Sequence, residues 1–168
     1  MGRCMKMKGP RYLLMILLGC AVFTQAYGQN SLHFDLSDAQ LFFGTILPYS
    51  TQGGTVRIQV TNPGNPIINY SQAGNLIWQN SQATAAKIGV RGDSGNTFIF
   101  SITIPHKNIN LTSGGAFLQL TLDDPVPNQL NVGKKKYTPF YVGGELAINN
   151  TKPGGNYTGY YDVVFNYY

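Results

Sequence analysis

A few places in the chain hold side chains able to act on a ligand, and the spacing of each limits what it can do. Asp123-Asp124 is a carboxylate pair of the kind used in acid–base chemistry or calcium binding. Neighbouring strand residues point to opposite faces, so the two cannot converge on one atom, and a solvated strand end is the plainer reading. Asp35, Asp38, Asp93, Glu145 and Asp162 are scattered, and His33 and His106 have no ligand-spaced partner. No metal set or nucleophile–base constellation emerges. The expectation is a protein that is not an enzyme and takes no cofactor and no metal.

Other residues carry recognition chemistry. Arg91-Gly92-Asp93 is the adhesion tripeptide, placed where a strand runs into the turn Ser94-Gly95-Asn96; tripeptides recur by chance, and a Gly-Asp turn between strands is the plainer account. Tyr137, Tyr141, Tyr160 and Tyr168, joined by Trp78, could form an aromatic platform for glycans, although tyrosines also serve as strand residues on a wet face. Lys134, Lys135 and Lys136 have no phosphate-cradling glycine loop beside them and read as a solvated connection.

The charge balance removes one class of partner. The 168 residues carry 12 Lys and Arg against 7 Asp and Glu, a formal +5. Arg3, Lys6, Lys8 and Arg11 lie ahead of the first apolar run, and without them eight cations face seven anions. A near-neutral remainder gives no nucleic-acid footprint.

Those four cations, the apolar run 12–23 and a short polar exit form the three zones of a secretory signal. The small-x-small site Ala26-Tyr27-Gly28 predicts cleavage between Gly28 and Gln29, leaving residues 29–168 as a single domain behind a signal peptide, 1–28. The alternative is Leu17-Leu18-Gly19-Cys20, which resembles a lipobox, with lipidation at Cys20 as the only route to the membrane. The predicted location is the periplasm, the outer cell surface or the medium. Cys4 and Cys20 are the only cysteines, so cleavage at Gly28 removes every thiol and the domain has to be held by its core alone.

The elements that position these residues are strands. Period-2 alternation marks 32–36, 41–47, 55–61, 86–92, 97–104, 116–122, 140–148 and 157–167, while 67–83 is polar and weakly patterned and reads as a long loop carrying one short strand. The spacing predicts an all-β, immunoglobulin-like or pilin-like sandwich of about seven or more antiparallel strands.

In the last run Tyr157, Gly159, Tyr161, Val163, Phe165 and Tyr167 alternate on one face, with Gly155 fourteenth from the end. This resembles the C-terminal strand of chaperone–usher pilins, which pairs with an assembly chaperone by strand addition. Leu32, Phe34 and Leu36 could act as a donor strand for a neighbouring subunit or could pair within their own domain.

A family resemblance rests on Tyr141-Val142-Gly143-Gly144-Glu145-Leu146-Ala147-Ile148 and on the tail from Pro153-Gly154-Gly155 to Asp162-Val163-Val164-Phe165-Asn166-Tyr167. Together these resemble the C-terminal signature of the bacterial DUF4402 family. Leu41-Phe42-Phe43-Gly44-Thr45-Ile46 is similar to its opening strand, and Ala86-Lys87-Ile88-Gly89-Val90-Arg91-Gly92, running on to Ile102-Thr103-Ile104-Pro105, to its central block. The resemblance implies exported, β-rich, often fimbria-like proteins and transfers no catalytic residues. The function expected is an exported structural or adhesive cell-surface protein, a fimbria-like subunit acting through its β-strand edges, with copies of itself or homologous subunits and a periplasmic chaperone as partners. The alternative is a monomeric surface module binding glycans or another envelope component.

Overall fold

Alternation and turns build this protein. Gly53, in the left-handed region at φ 64°, turns the chain into Gly54–Thr61, whose Val56, Ile58 and Val60 are buried while Thr55, Arg57 and Gln59 face outward. At the far end Asn62 takes φ 59° and its carbonyl accepts the amide of Asn65 at 3.2 Å, returning the chain antiparallel. The computed structural model describes residues 32–49, 52–93, 97–134, 136–149 and 154–167.

Thirteen strands follow in order among the described residues: β1 (Leu32–Asp35), β2 (Thr45–Pro48), β3 (Gly54–Thr61), β4 (Ile67–Gly74), β5 (Leu76–Gln79), β6 (Ala86–Gly92), β7 (Phe98–Thr103), β8 (Asn108–Ser113), β9 (Ala116–Leu122), β10 (Gln129–Val132), β11 (Thr138–Val142), β12 (Gly144–Ile148) and β13 (Val164–Tyr167). The largest sheet is β4-β3-β12-β9-β8; the others are β1-β6-β11, β10-β7-β13 and the ribbon β2-β5, and all named pairings are antiparallel. The fold is all-β, as the alternation predicts.

The apolar faces of all four sheets converge on one cluster that includes Val56, Ile58, Leu120, Leu146, Phe43, Val90, Phe100 and Phe140. Burying side chains of this size removes about 1.5–3 kcal/mol of hydration cost apiece, which lets a thiol-free domain stand on its core. Gly143 lets the chain cross between sheets, from β11 to β12: a Cβ there would lie 2.2 Å from the Ile58 carbonyl oxygen.

Three sequence readings are corrected. The stretch 67–83 is not a long loop: it holds eight-residue β4, four-residue β5 and a 3-10 turn, Asn80–Gln82. Its pattern is weak because β4 is exposed at every residue except half-buried Ile68, so no apolar periodicity marks it. The final strand is shorter than the alternation suggests, with the ladder confined to Val164–Tyr167. Ahead of it Tyr157, Gly159, Tyr161 and Val163 are buried, so the alternation is real, but among the described residues this run forms a single bridge to a sheet, Thr158 with Thr112. Finally, of residues 41–47 only the end is strand; Phe42 makes an isolated bridge to Thr84.

Candidate functional site: the sheet edges

The residues nominated for strand exchange are engaged within the chain. β1 pairs along its length with β6, Leu32 against Gly92 and Phe34 against Val90, while Leu36 lies beyond the strand at 50% exposure. The Phe165 ring stands 5.2 Å from Phe34 and 5.8 Å from Phe140, centroid to centroid, tying β13 to β1 and β11. Gly155 and Gly159 lie against β8, where a Cβ would come within 2.6 Å of Ser113 Oγ and 2.7 Å of Leu111 Cδ2 respectively. Thr158 and Thr112 exchange both backbone hydrogen bonds, at 2.8 and 3.1 Å. The tail therefore straps the edge of one sheet and supplies a strand to another. Gly28, Gln29 and Cys20 lie outside the described residues.

The remaining nominated groups do not converge. Arg91 is inside β6 with its guanidinium carbon 5.0 Å above the Tyr137 ring centroid, Gly92 is buried, and the Asp93 carboxylate meets the His33 imidazole. Both charges of the tripeptide thus have partners in the chain itself. Asp123 and Asp124 separate as adjacent residues should: Asp124 takes Lys107 at 2.7 Å and Asp123 takes Arg57 Nη2 at 2.7 Å. Asp123, however, is half-buried, not a solvated end, and one of its oxygens is buried without a hydrogen bond. Trp78 donates to the Phe43 carbonyl and packs on Tyr70, while Tyr160 is 68% exposed on a different segment.

The structure brings forward an edge that alternation did not predict. A strand edge presents unpaired N–H and C=O groups, and proteins usually blunt it with charge, proline, brevity or cover. β1 carries His33 and Asp35; β2 has four residues and ends in Pro48; β8 lies under Thr158; β13 has four residues. β4 has none of these defences. Its eight residues run for about 27 Å at strand rise, hydrogen-bond through the backbone to β3 alone among the described residues, and include no charge and no proline. Ile67 is 50% exposed and Tyr70 39%. The signal was present in the composition: the 29 positions between Arg57 and Lys87 hold no Lys, Arg, Asp or Glu.

That edge is held rigid from behind. The Tyr70 hydroxyl donates to the Ala83 carbonyl at 2.9 Å and its ring meets Trp78 edge-on at 6.0 Å; Gln72 Nε2 donates to the Leu76 carbonyl at 3.3 Å. One strand inward on the outer face, Arg57 stands opposite Ser71 and between Asp123 and Glu145, the latter at 3.4 Å. Burial raises the Asp123 carboxyl above its ordinary value, and the nearby guanidinium only partly offsets that. The cation opposite Ser71 of β4 is therefore already paired with two carboxylates.

Among comparisons with known proteins, a family model described as "Domain of unknown function (DUF4402)" matches residues 35–167. No curated protein and no solved structure matches the chain.

Proposed function

The chain belongs to the DUF4402 family, and from that premise we propose that it is an exported structural or adhesive protein of the cell surface, a fimbria-like subunit that works through its strand edges. One observation carries the reading: β4, the outer strand of the five-stranded sheet, is eight residues long and exposed along nearly its whole length without charge or proline. An undefended edge of that length is a site for pairing with another chain. The three-zone N-terminus supports export, and the absence of thiols after Cys20 suits a domain that does not depend on the redox state outside the cell.

In this reading β1 and β13 serve as integral strands, and contacts between subunits run edge to edge. Electrophoresis of protein released from cells, unheated and then boiled, tests it. A heat-labile series of bands above the monomer is the expected result. Monomer alone in both lanes, with no higher species in the native sample at any loading, would remove the structural-subunit reading.

A further inference from the structure

Resting on that reading, we propose that the partner of β4 is β4 of a second copy, joined antiparallel about a two-fold axis at Tyr70, so that two five-stranded sheets become one of ten. In an antiparallel pair, directly opposed residues share a face. An axis at Tyr70 sets Tyr70 beside its own copy, Ile68 opposite Gln72, Asn69 opposite Ser71 and Ile67 opposite Ala73. Each pair lies on one face, because Ile68, Tyr70 and Gln72 align with Val60, Ile58 and Val56 of β3, while Ile67, Asn69, Ser71 and Ala73 align with Thr61, Gln59, Arg57 and Thr55.

Three features select a second copy over a different partner. The first is charge: a strand with no ionic group opposes no like charges when it meets itself, and it presents no field that would attract an acidic or basic partner. Arg57, opposite Ser71 on β3, is held by Asp123 and Glu145 and does not repel its own copy. The second is shape, because a two-fold interface must complement itself. The large exposed Ile67 meets Ala73, the smallest side chain on that face, at both ends of the pairing. The third is preorganisation: Tyr70 is fixed by the Ala83 carbonyl and by Trp78, so little side-chain freedom is lost when a second ring arrives.

Ser71→Glu tests this in the purified protein. Position 71 is exposed on the outer face of the single subunit, so glutamate there stays in solvent in the monomer, whereas the pairing would set two carboxylates diagonally across the axis. By chromatography with light scattering, the wild type should elute at twice the chain mass and Ser71→Glu as a monomer, with association weakened about tenfold or more, the effect of about 1.4 kcal/mol. Mixing Ser71→Glu with Ser71→Lys should restore the dimer, since opposite charges then lie diagonally across the axis, within reach of long side chains. That rescue excludes misfolding as the cause of the loss. A wild-type monomer at every concentration reached, or a Ser71→Glu dimer as tight as the wild type, overturns the pairing. If a dimer survives Ser71→Glu and disappears on deletion of residues 29–37, the occupant is the N-terminal strand of the second copy and β4 is not the interface. A two-fold contact closes on itself, so a long band series in cells needs a second contact as well. A series that persists with Ser71→Glu would leave the surface-subunit reading standing while sinking β4 self-pairing.

Discussion

Phe165→Ala separates a tail that completes its own fold from one held for exchange. Phe165 is half-buried, and its ring contacts Phe34 on β1 and Phe140 on β11 at 5.2 and 5.8 Å between centroids. Full burial would put Phe→Ala at about 3–5 kcal/mol, and partial exposure brings the truncation to about 2 kcal/mol. Two aromatic contacts, one tilted and one edge-to-face, each worth about 0.5 kcal/mol at the low end of the range, raise the total to about 3 kcal/mol. With a urea slope of about 2 kcal/mol/M, the unfolding midpoint should fall by about 1.5 M at unchanged slope. The double variant with Phe34→Ala should show a coupling of about 0.5–1 kcal/mol, because the two rings share one contact. Urea titration of the monomeric Ser71→Glu background, followed by tyrosine and tryptophan fluorescence, keeps association out of the measurement. A midpoint shift below about 0.3 M, or additivity of the two substitutions, would refute the argument that β13 and β1 are locked together within one chain.

Three further outcomes follow from the packing. Tyr161 is 2% exposed and its hydroxyl has no hydrogen-bond partner among the described residues, so burial pushes its ionisation far up; Tyr161→Phe should raise stability by about 1 kcal/mol in urea titration. Gly143→Ala places a methyl 2.2 Å from the Ile58 carbonyl oxygen and should cost about 1–3 kcal/mol, measured the same way, with no gain from the reduced freedom of the unfolded chain. Asp123 has a folded-state carboxyl raised by burial, so between its ordinary value of 3.8 and that raised value the folded chain binds more protons than the unfolded one and stability falls as pH rises. Asp123→Asn removes this ionisation, and its stability relative to the wild type should increase from pH 3 to pH 7; a variant that loses ground over that interval contradicts the sign.

Alternation made most of the core legible before any coordinates. Val56, Ile58 and Val60, Phe98, Phe100 and Ile102, and Leu118, Leu120 and Leu122 all face inward as their period-2 spacing requires. What alternation could not resolve was membership of a sheet. Residues 140–148 look like one interrupted run, yet Gly143 carries the chain from β11 against β6 to β12 between β3 and β9. Residues 157–167 keep their in–out pattern while passing from the edge of β8 to the ladder with β7. Both runs bury alternate residues, Phe140 to Ile148 with Gly143 added and Tyr157 to Val163, and burial alone carries no record of which backbone supplies the hydrogen bonds.

β4 escaped the same reasoning for the opposite reason. A strand is legible by period only if one of its faces is covered by apolar neighbours, and β4 is covered only where Ile68 and the Tyr70–Trp78 contact reach the core. Its place is set by β3 and the Asn62 turn, not by its own side chains. The property that hides it from a periodicity argument, an uncharged and largely exposed surface on both faces, is the property that leaves its edge open. Most solvated strands of this composition interleave lysine or glutamate at little cost to stability, because exposed charges tolerate a strand surface and prevent pairing with other chains. Elsewhere this chain follows that habit, with His33 and Asp35 on β1 and Glu145 and Arg57 turned outward on the central sheet. From residue 58 to 86 it does not. A neutral stretch that contains the longest free edge is the arrangement expected where pairing with another chain is required.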